Sequence, residues 1–471
     1  MNYESTKPIF FVCNDPERAL GLEHIIENYH IICSDDNPFI QIAKERGIQI
    51  FSLAKIEGKT NPIFRNSNRL LKHKKVQEYI KKNTPKNEKP NIIVFKVSLQ
   101  IEKTCAKLNY NLLNTTSALN KRFELKISQY NNLKNLGSFF PKTIISTLGN
   151  TTYSKLKNKL GEKIVIQYNR GHTGNSTIFI NNEKEYIKQK RKYRNRLARI
   201  AEYIQGDVYT LNACITRFGI VYGGISFQIT GIEGLTSKEG GTVGNDWKYP
   251  EKISPKNHKQ IKEILSRLEK SLISQKYKGL FGIDFIITPK QRIYLIELNA
   301  RQPASTPIHT KLMLNEEFIP LQAFHLAEFL FKENAEYIRF LNKYFHKGIA
   351  DTNITRYIQE QNKLATIPID AAQIFFRNIS NKREKISQNI QQGIYTYHNE
   401  RLTKTGQGYN IQDIIPEEHL ILATKQGQIV SPDSEIARIQ NLKGIITKEG
   451  KLKKHIQKII KKVNKKIILT K

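Results

Sequence analysis

The sequence predicts a mixed α/β and α+β chain in three parts: a parallel α/β domain over residues 1–117, an α+β domain over 118–335, and a β-rich unit with a terminal helix over 336–471. Three observations carry that expectation. Short Ile/Val/Phe-rich runs alternate with helical patterns up to about residue 115, the signature of a parallel sheet covered by helices. From residue 118 a long helical pattern gives way to strand pairs divided by glycine-containing turns. Past residue 348 come short strands, and a lysine-rich helix closes the chain.

Each element follows from its local pattern. In the first part "IFFVC" (9–13), "HIICS" (30–34), "IQIFSL" (48–53) and "NIIVFKV" (91–97) read as strands, with helices expected over 16–29, 38–47, 68–83 and 100–109. The first turn, "NDPERALG", lacks the glycines that let a backbone approach a pyrophosphate, which argues against dinucleotide binding and leaves this domain as a scaffold. In the second part a helix is expected over 116–137, ending at Gly137, then a helix at "YSKLKNKLG" and strands at "KIVIQYN" and "IFI". The intervening "RGHTGNST" holds Gly171 and Gly174 with Thr173, Ser176 and Thr177. Such a loop can present backbone N–H groups to phosphate oxygens, and the same composition suits an ordinary hairpin turn. Strands continue over 202–231, "EGGTVGNDWKYP" (239–250) reads as a flexible loop, and a helix covers 256–275. An amphipathic helix is expected over 316–331, its His325 packed or solvated rather than a ligand. The third part offers "AAQIFFRN", "GIYTY" and "HLILATKQGQIVSP" as a small antiparallel unit.

The most informative stretch is "GIDFIITPKQRIYLIELNAR". Two apolar runs flank the turn-like "PKQR", so a β-hairpin is expected. Pairing Thr288 with Ile293 sets Ile286 opposite Leu295 and Asp284 opposite Glu297, and alternation brings Asn299 to the same side. Opposed carboxylates repel. Clustered with an amide oxygen they form a hard-cation donor set suited to Mg²⁺ or Mn²⁺. The alternative is a hairpin with two solvated acids at a frayed end, and a one-residue slip of register would decide between them.

Composition narrows the class. The net charge is +34, from 76 Lys and Arg against 42 Asp and Glu. Nucleic acid, an anionic membrane or acidic substrates all fit that excess; so does general drift toward Lys, Asn and Ile, which the even spread of Lys favours. Cys13, Cys33, Cys105 and Cys214 are scattered without metal-ligand spacing, against both a disulfide scaffold and a zinc site. The first residues hold too short an apolar run for a signal peptide and no later segment approaches a membrane span, so a cytoplasmic protein is expected.

"GIDF" followed, thirteen residues after its Asp, by "ELNAR" resembles the ATP-grasp superfamily of carboxylate–amine and carboxylate–thiol ligases. The resemblance covers roughly residues 1–335 and implies an N-terminal α/β domain, a grasp domain whose lid spans about 140–205, and ATP with Mg²⁺ as cofactors. It implies Asp284, Glu297 and Asn299 as metal ligands, with Glu297 bridging. Lys126 is expected on an ATP phosphate, and "RGHTGNST" as the loop over the phosphates. In "AEYIQGD", Glu202 or Asp207 would bond ribose or adenine while Tyr203 and Ile204 offer backbone groups. Arg301 corresponds to an arginine that pairs with the acid substrate or the intermediate's phosphate, with Ser305 and Thr306 within reach. One position departs: Gln167 stands where many members carry a lid-strand lysine. A branch resembling peptide-ligase-type members carries Gln there, and Arg170 is a candidate for the missing charge. The last part resembles the C-terminal module of biotin-carboxylase-like members only vaguely.

The activity so implied is ATP-dependent activation of a carboxylate as an acylphosphate and its transfer to an amine, with small-molecule substrates. A biotin-carboxylase-type enzyme acting on bicarbonate is one alternative, although the glycine-rich lid loop is reduced and no biotinyl Met-Lys-Met segment is present. A nucleic-acid-binding protein is the alternative of another class. Its feature is the terminal helix, with Leu452, Ile456, Ile459, Ile460, Val463 and Ile467 at helical spacing and lysines opposite. Packing of that apolar face on the β unit, with the basic face solvated, is the simpler account.

Overall fold

The computed structural model describes residues 7–169, 177–238, 240–350 and 352–470. Its first sheet is parallel, in the order β3-β2-β1-β4-β5, from β1 (Ile9–Cys13), β2 (Tyr29–Cys33), β3 (Gln49–Ser52), β4 (Asn91–Val94) and β5 (Asn111–Leu112). β1, β2 and β4 are buried along their whole length, as expected of a parallel sheet covered on both faces.

Two expected helices here are altered by contacts that local pattern does not encode. Over 16–29 only a 3₁₀ turn forms, Pro16–Ala19. Gly21 follows at φ +139°, and a Cβ there would run into the Gln322 side chain; the chain gives up the helix to approach a segment 300 residues on. The helix over 68–83 is two, Ser67–Lys72 and Lys74–Lys82, broken where His73 takes an extended conformation.

A second sheet is antiparallel, order β6-β9-β7-β8, from β6 (Thr143–Thr147), β7 (Ile164–Tyr168), β8 (Thr177–Ile180) and β9 (Leu197–Glu202). Helices Tyr153–Leu160 and Glu183–Tyr193 pack with it around Leu156, Ile164, Ile166, Tyr186 and Ile200. This small sheet has its own core. It forms one wall of a cleft.

The other wall belongs to the largest sheet, ten strands in the order β14-β13-β10-β11-β12-β15-β21-β19-β17-β18. Five of them precede residue 300: β10 (Asp207–Thr216), β11 (Gly219–Thr230), β12 (Thr242–Asp246), β13 (Gly279–Ile287) and β14 (Ile293–Asn299). Helix Pro255–Ser274 covers their core face through Ile261, Leu265 and Leu268. The stretch 239–250, expected as a flexible loop, contributes β12. β12 pairs with β11 on one side and with β15 (Ala372–Arg377) on the other. It thereby joins these five strands through β15 to β21 (Glu435–Asn441), β19 (Glu418–Ala423), β17 (Gly393–His398) and β18 (Arg401–Gly406) without a break. A short fourth sheet is formed by β20 (Ile429–Val430), β16 (Glu384–Gln388) and β22 (Ile468–Thr470).

Helix Leu321–Leu330, expected to be amphipathic, is buried from Leu321 to Glu328. His325 is packed within it, accepting from Leu280 N at 3.1 Å and facing the Leu113 carbonyl at 2.8 Å. The terminal helix Lys454–Asn464 buries Ile456, Ile459, Ile460 and Val463 in the main core, so its apolar face has a partner within the fold. No helix among the described residues is long and apolar enough to cross a membrane.

Candidate active site

The hairpin β13–β14 forms, but not in the simplest register. From its tip the pairs are Ile287 with Ile293, Ile286 with Tyr294 and Phe285 with Leu295, one step off the expected alignment. This sends Ile293 and Leu295 into the core beside Phe285 and Ile287. A β-bulge between Asp284 and Phe285 then absorbs one residue and restores Asp284 opposite Glu297. Without the bulge Glu297 would point into the core and Leu298 into the cleft.

Asp284 lies in a closed network. Its Oδ1 accepts from Thr210 Oγ1 at 2.6 Å and Gln228 Nε2 at 2.7 Å, and its Oδ2 from Asn299 Nδ2 at 3.1 Å. Burial, and next the Glu297 charge, push its pKa up to about 6. Glu297 is ion-paired with Lys126, a residue only 7% exposed. Lys126 reaches that position because the expected helix over 116–137 breaks at Leu125 (φ −71°, ψ 123°) and restarts at Lys126. Asn299 Oδ1 accepts from Arg301 Nη2 at 3.0 Å, so the oxygen expected on a metal is engaged by the guanidinium.

Arg301 is itself held from behind. Its Nε donates to Glu124 Oε1 at 2.6 Å, and Lys96 pairs with the other oxygen at 2.5 Å. Burial opposes the Glu124 charge, but Arg301 and Lys96 outweigh it and hold the carboxyl below its ordinary range. Ser305 is fixed by Asn212 at 3.0 Å, and Thr306 starts the helix Thr306–Asn315 behind it.

These residues line two continuous parts of one cleft between the walls. The first, about 690 Å³, is bordered by Lys96, Lys126, Asp284, Glu297, Asn299, Arg301 and Ser305. The second, about 570 Å³, is bordered by Gln167, Phe179, Arg199, Glu202, Tyr203, Ile204 and Ile286. Asp284, Glu297, Gln228 and Thr177 border both. Its polar ends and apolar flanks suit a ligand with a flat apolar part and an anionic part.

Asp207 faces away from the cleft, because alternation along β10 turns Val208 and Thr210 inward and leaves Asp207 to accept from Tyr249 at 2.9 Å. Glu202 does border the cleft, and its Oε1 accepts from Lys142 N at 2.7 Å. Gly171, Gly174 and Arg170 lie outside the described residues. Among the described residues no three His, Cys, Asp or Glu side chains gather as a metal cluster; the oxygen set here is two carboxylates and an amide.

Sequence patterns did not single out Thr210, Gln228, Glu124, Lys96 or Arg199. Arg199 alone carried a usable signal, a charged residue at an inward position of the alternating strand "LARIAE".

Residues 124–305 match the model of the ATP-grasp domain. The chain carries an ATP-grasp domain. No curated protein matches the chain in sequence. Solved structures share the fold from end to end at low identity. A biotin carboxylase from Campylobacter jejuni, in a complex with an ATP compound, aligns over 98% of this chain and 92% of its own, at 13% identity and a TM-score of 0.56. The biotin carboxylase domain of Hydrogenobacter thermophilus 2-oxoglutarate carboxylase, with MgADP, ADP and bicarbonate, covers 93% and 86% at 11% identity and TM-score 0.55. N5-carboxyaminoimidazole synthase from Aspergillus clavatus, with ADP and its aminoimidazole ribonucleotide, covers 98% and 99% at 12% identity and TM-score 0.55. Residues 124–305 therefore sit within a fold that these solved structures share over nearly the whole chain.

Proposed function

We propose that the protein is an ATP-dependent ligase that activates a carboxylic acid as its acylphosphate and joins it to an amine. The pairing of Asp284 with Glu297, beside Asn299, Lys126 and Arg301 in one cleft, carries this reading. Two facing carboxylates, one of them buried with its pKa pushed up to about 6, are a site that a hard divalent cation would relieve. Mg²⁺ held by Asp284 and Glu297, with Mn²⁺ as the alternative, would offset the negative charge of a triphosphate during transfer. The three named neighbours are complexes with adenine nucleotides, which supports ATP in the same cleft.

The chain's own residues divide the remaining work. Lys126, buried and beside Glu297, offers an ammonium to the phosphates. Tyr203, Ile204, Phe179 and Ile286 form the apolar end expected to take the adenine, with Glu202 at its edge. Arg301, oriented by Glu124, presents a guanidinium toward the other end, where a carboxylate would seat. An oxygen of that carboxylate attacks the γ-phosphorus and ADP leaves. The amine then attacks the acyl carbon, and inorganic phosphate leaves with the attacking oxygen. This chemistry calls for positioning and charge neutralisation rather than a side-chain nucleophile. The two walls exclude water from an intermediate that would otherwise hydrolyse.

The test is isotopic. An acid substrate labelled with ¹⁸O in its carboxylate is expected to deliver one ¹⁸O to the phosphate released. Phosphate free of label would mean that water, not the acid, attacks ATP.

A further inference from the structure

Strand β9 carries a charge that the scheme above does not use. Its residues alternate: Ala198 and Ile200 enter the lid's own core, while Arg199 and Ala201 border the cleft. Arg199 is 1% exposed. A guanidinium this buried ordinarily has a carboxylate against it, yet among the described residues Arg199 forms no ion pair. Its Nη1 donates to the Ile296 carbonyl at 3.3 Å, its plane lies over Tyr130 and Phe140 at 5.5 and 5.4 Å, and its Nε has no partner. The nearby Glu297 is already taken by Lys126. Burial, working against the charge, pulls the Arg199 pKa down to about 10, which leaves the group cationic at neutral pH.

Register supplies the second observation. Gln167 on β7 is paired directly with Arg199 on β9. Both side chains border the same part of the cleft, between Glu297 and the apolar end formed by Tyr203 and Ile204. Gln167 is neutral, and its amide nitrogen donates to Thr177 Oγ1 at 3.2 Å. The lid face between the two ends of the cleft thus has its charge one strand over from Gln167.

We propose that Arg199 is the lid's polyphosphate-binding cation, its unpartnered Nε–H donating to an oxygen of the nucleotide's phosphate chain. This rests on the nucleotide reading of the cleft. A guanidinium edge matches a phosphate better than an ammonium does, and its planar fork is fixed here by the Ile296 carbonyl and the two rings. Ile296 is the residue that the bulge sets beside Glu297, so the same side chain links the lid to the carboxylate pair.

The experiment compares ADP with adenosine, at fixed Mg²⁺, by calorimetry on the full chain. Arg199→Met is expected to weaken ADP about 10- to 100-fold, the range for losing a charge-assisted hydrogen bond, and to leave adenosine within about twofold. Gln167→Lys added to Arg199→Met is expected to recover most of the ADP affinity, because the register places the new ammonium beside the lost one. Equal weakening of ADP and adenosine would make Arg199 a structural residue, and unchanged ADP affinity would remove it from the site; either overturns the proposal. If Arg199→Met does not fold, Arg199→Lys carries the test: a fall of about 3- to 10-fold for ADP alone supports the proposal, and no difference between the two ligands overturns it. Failure of the unaltered protein to bind either ligand would instead overturn the nucleotide reading on which the proposal stands.

Discussion

The two walls of the cleft are built on different principles. On the ten-stranded sheet Asp284 is tied to Thr210, Gln228 and Asn299, and from Asn299 the contacts run through Arg301 to Glu124 and Lys96 on neighbouring elements, all backed by the main core. On the lid sheet Arg199 has an unpartnered nitrogen, Gln167 one weak contact, and the core beneath is small and separate. The first wall is set before anything binds. The second has donors still to be satisfied, as a surface that completes itself on a ligand would. Preorganised charge belongs where the reacting groups sit, and open donors belong where binding closes the site.

Removing the preorganised charge should have the largest effect. Glu297→Ala is expected to lower ATP turnover by about 10²–10³-fold or more, and to lower the melting temperature, because relief of the opposed carboxylates is outweighed by the buried Lys126 ammonium left without its partner. Turnover within tenfold of the unaltered enzyme would dissolve the distinction between the walls.

Packing offers the next contrast. Phe285→Ala, in the main core, should destabilise the whole protein by about 3–5 kcal/mol, and Ile166→Ala, in the lid core, by about 2–5 kcal/mol. Hydrogen exchange separates them: the first should raise exchange throughout β10, β11 and β13, the second only in β6 to β9. A global response to Ile166→Ala would mean that the lid is no independent unit.

Acid should act on the fixed parts of the molecule. His325, His309 and His30 are buried in the neutral form, and burial lowers each pKa to about 4. The unfolded chain takes up these protons near pH 6.5 and the folded one only near 4. Their contribution is therefore present above pH 6.5 and lost as pH falls toward 4, at about 1.4 kcal/mol per pH unit for each. His325→Gln should reduce the proton uptake on unfolding at pH 5 by about one, measured from the pH dependence of urea midpoints. An unchanged slope would mean that His325 is protonated in the fold.

The smallest effect is expected from Gln167→Lys alone, about threefold or less on ADP affinity, since Arg199 already supplies the charge. A gain beyond tenfold would show the lid to be short of charge.

What the sequence disclosed follows the same division. Asp284, Glu297, Asn299 and Arg301 were legible because they lie within one hairpin, where thirteen residues fix the pairing to within a bulge. Even there the alignment at the tip was one residue off, since the demand of Ile293 and Leu295 for the core outweighs the simplest loop. Local pattern failed where a distant segment decides. Gly21 ends a helix to meet Gln322, and "TVGND" is a strand because β15, more than 120 residues later, pairs with it. Arg199 shows in the sequence only as a charge at an inward position of "LARIAE"; its place beside Gln167 depends on register between strands more than thirty residues apart.

The most direct test of the central claim is release of ADP from MgATP in the presence of pooled amino acids and small carboxylic acids, with Glu297→Ala alongside. Acid activation predicts release that depends on one pool and vanishes in the variant. Release at the same rate without any acid, or undiminished by Glu297→Ala, would contradict it.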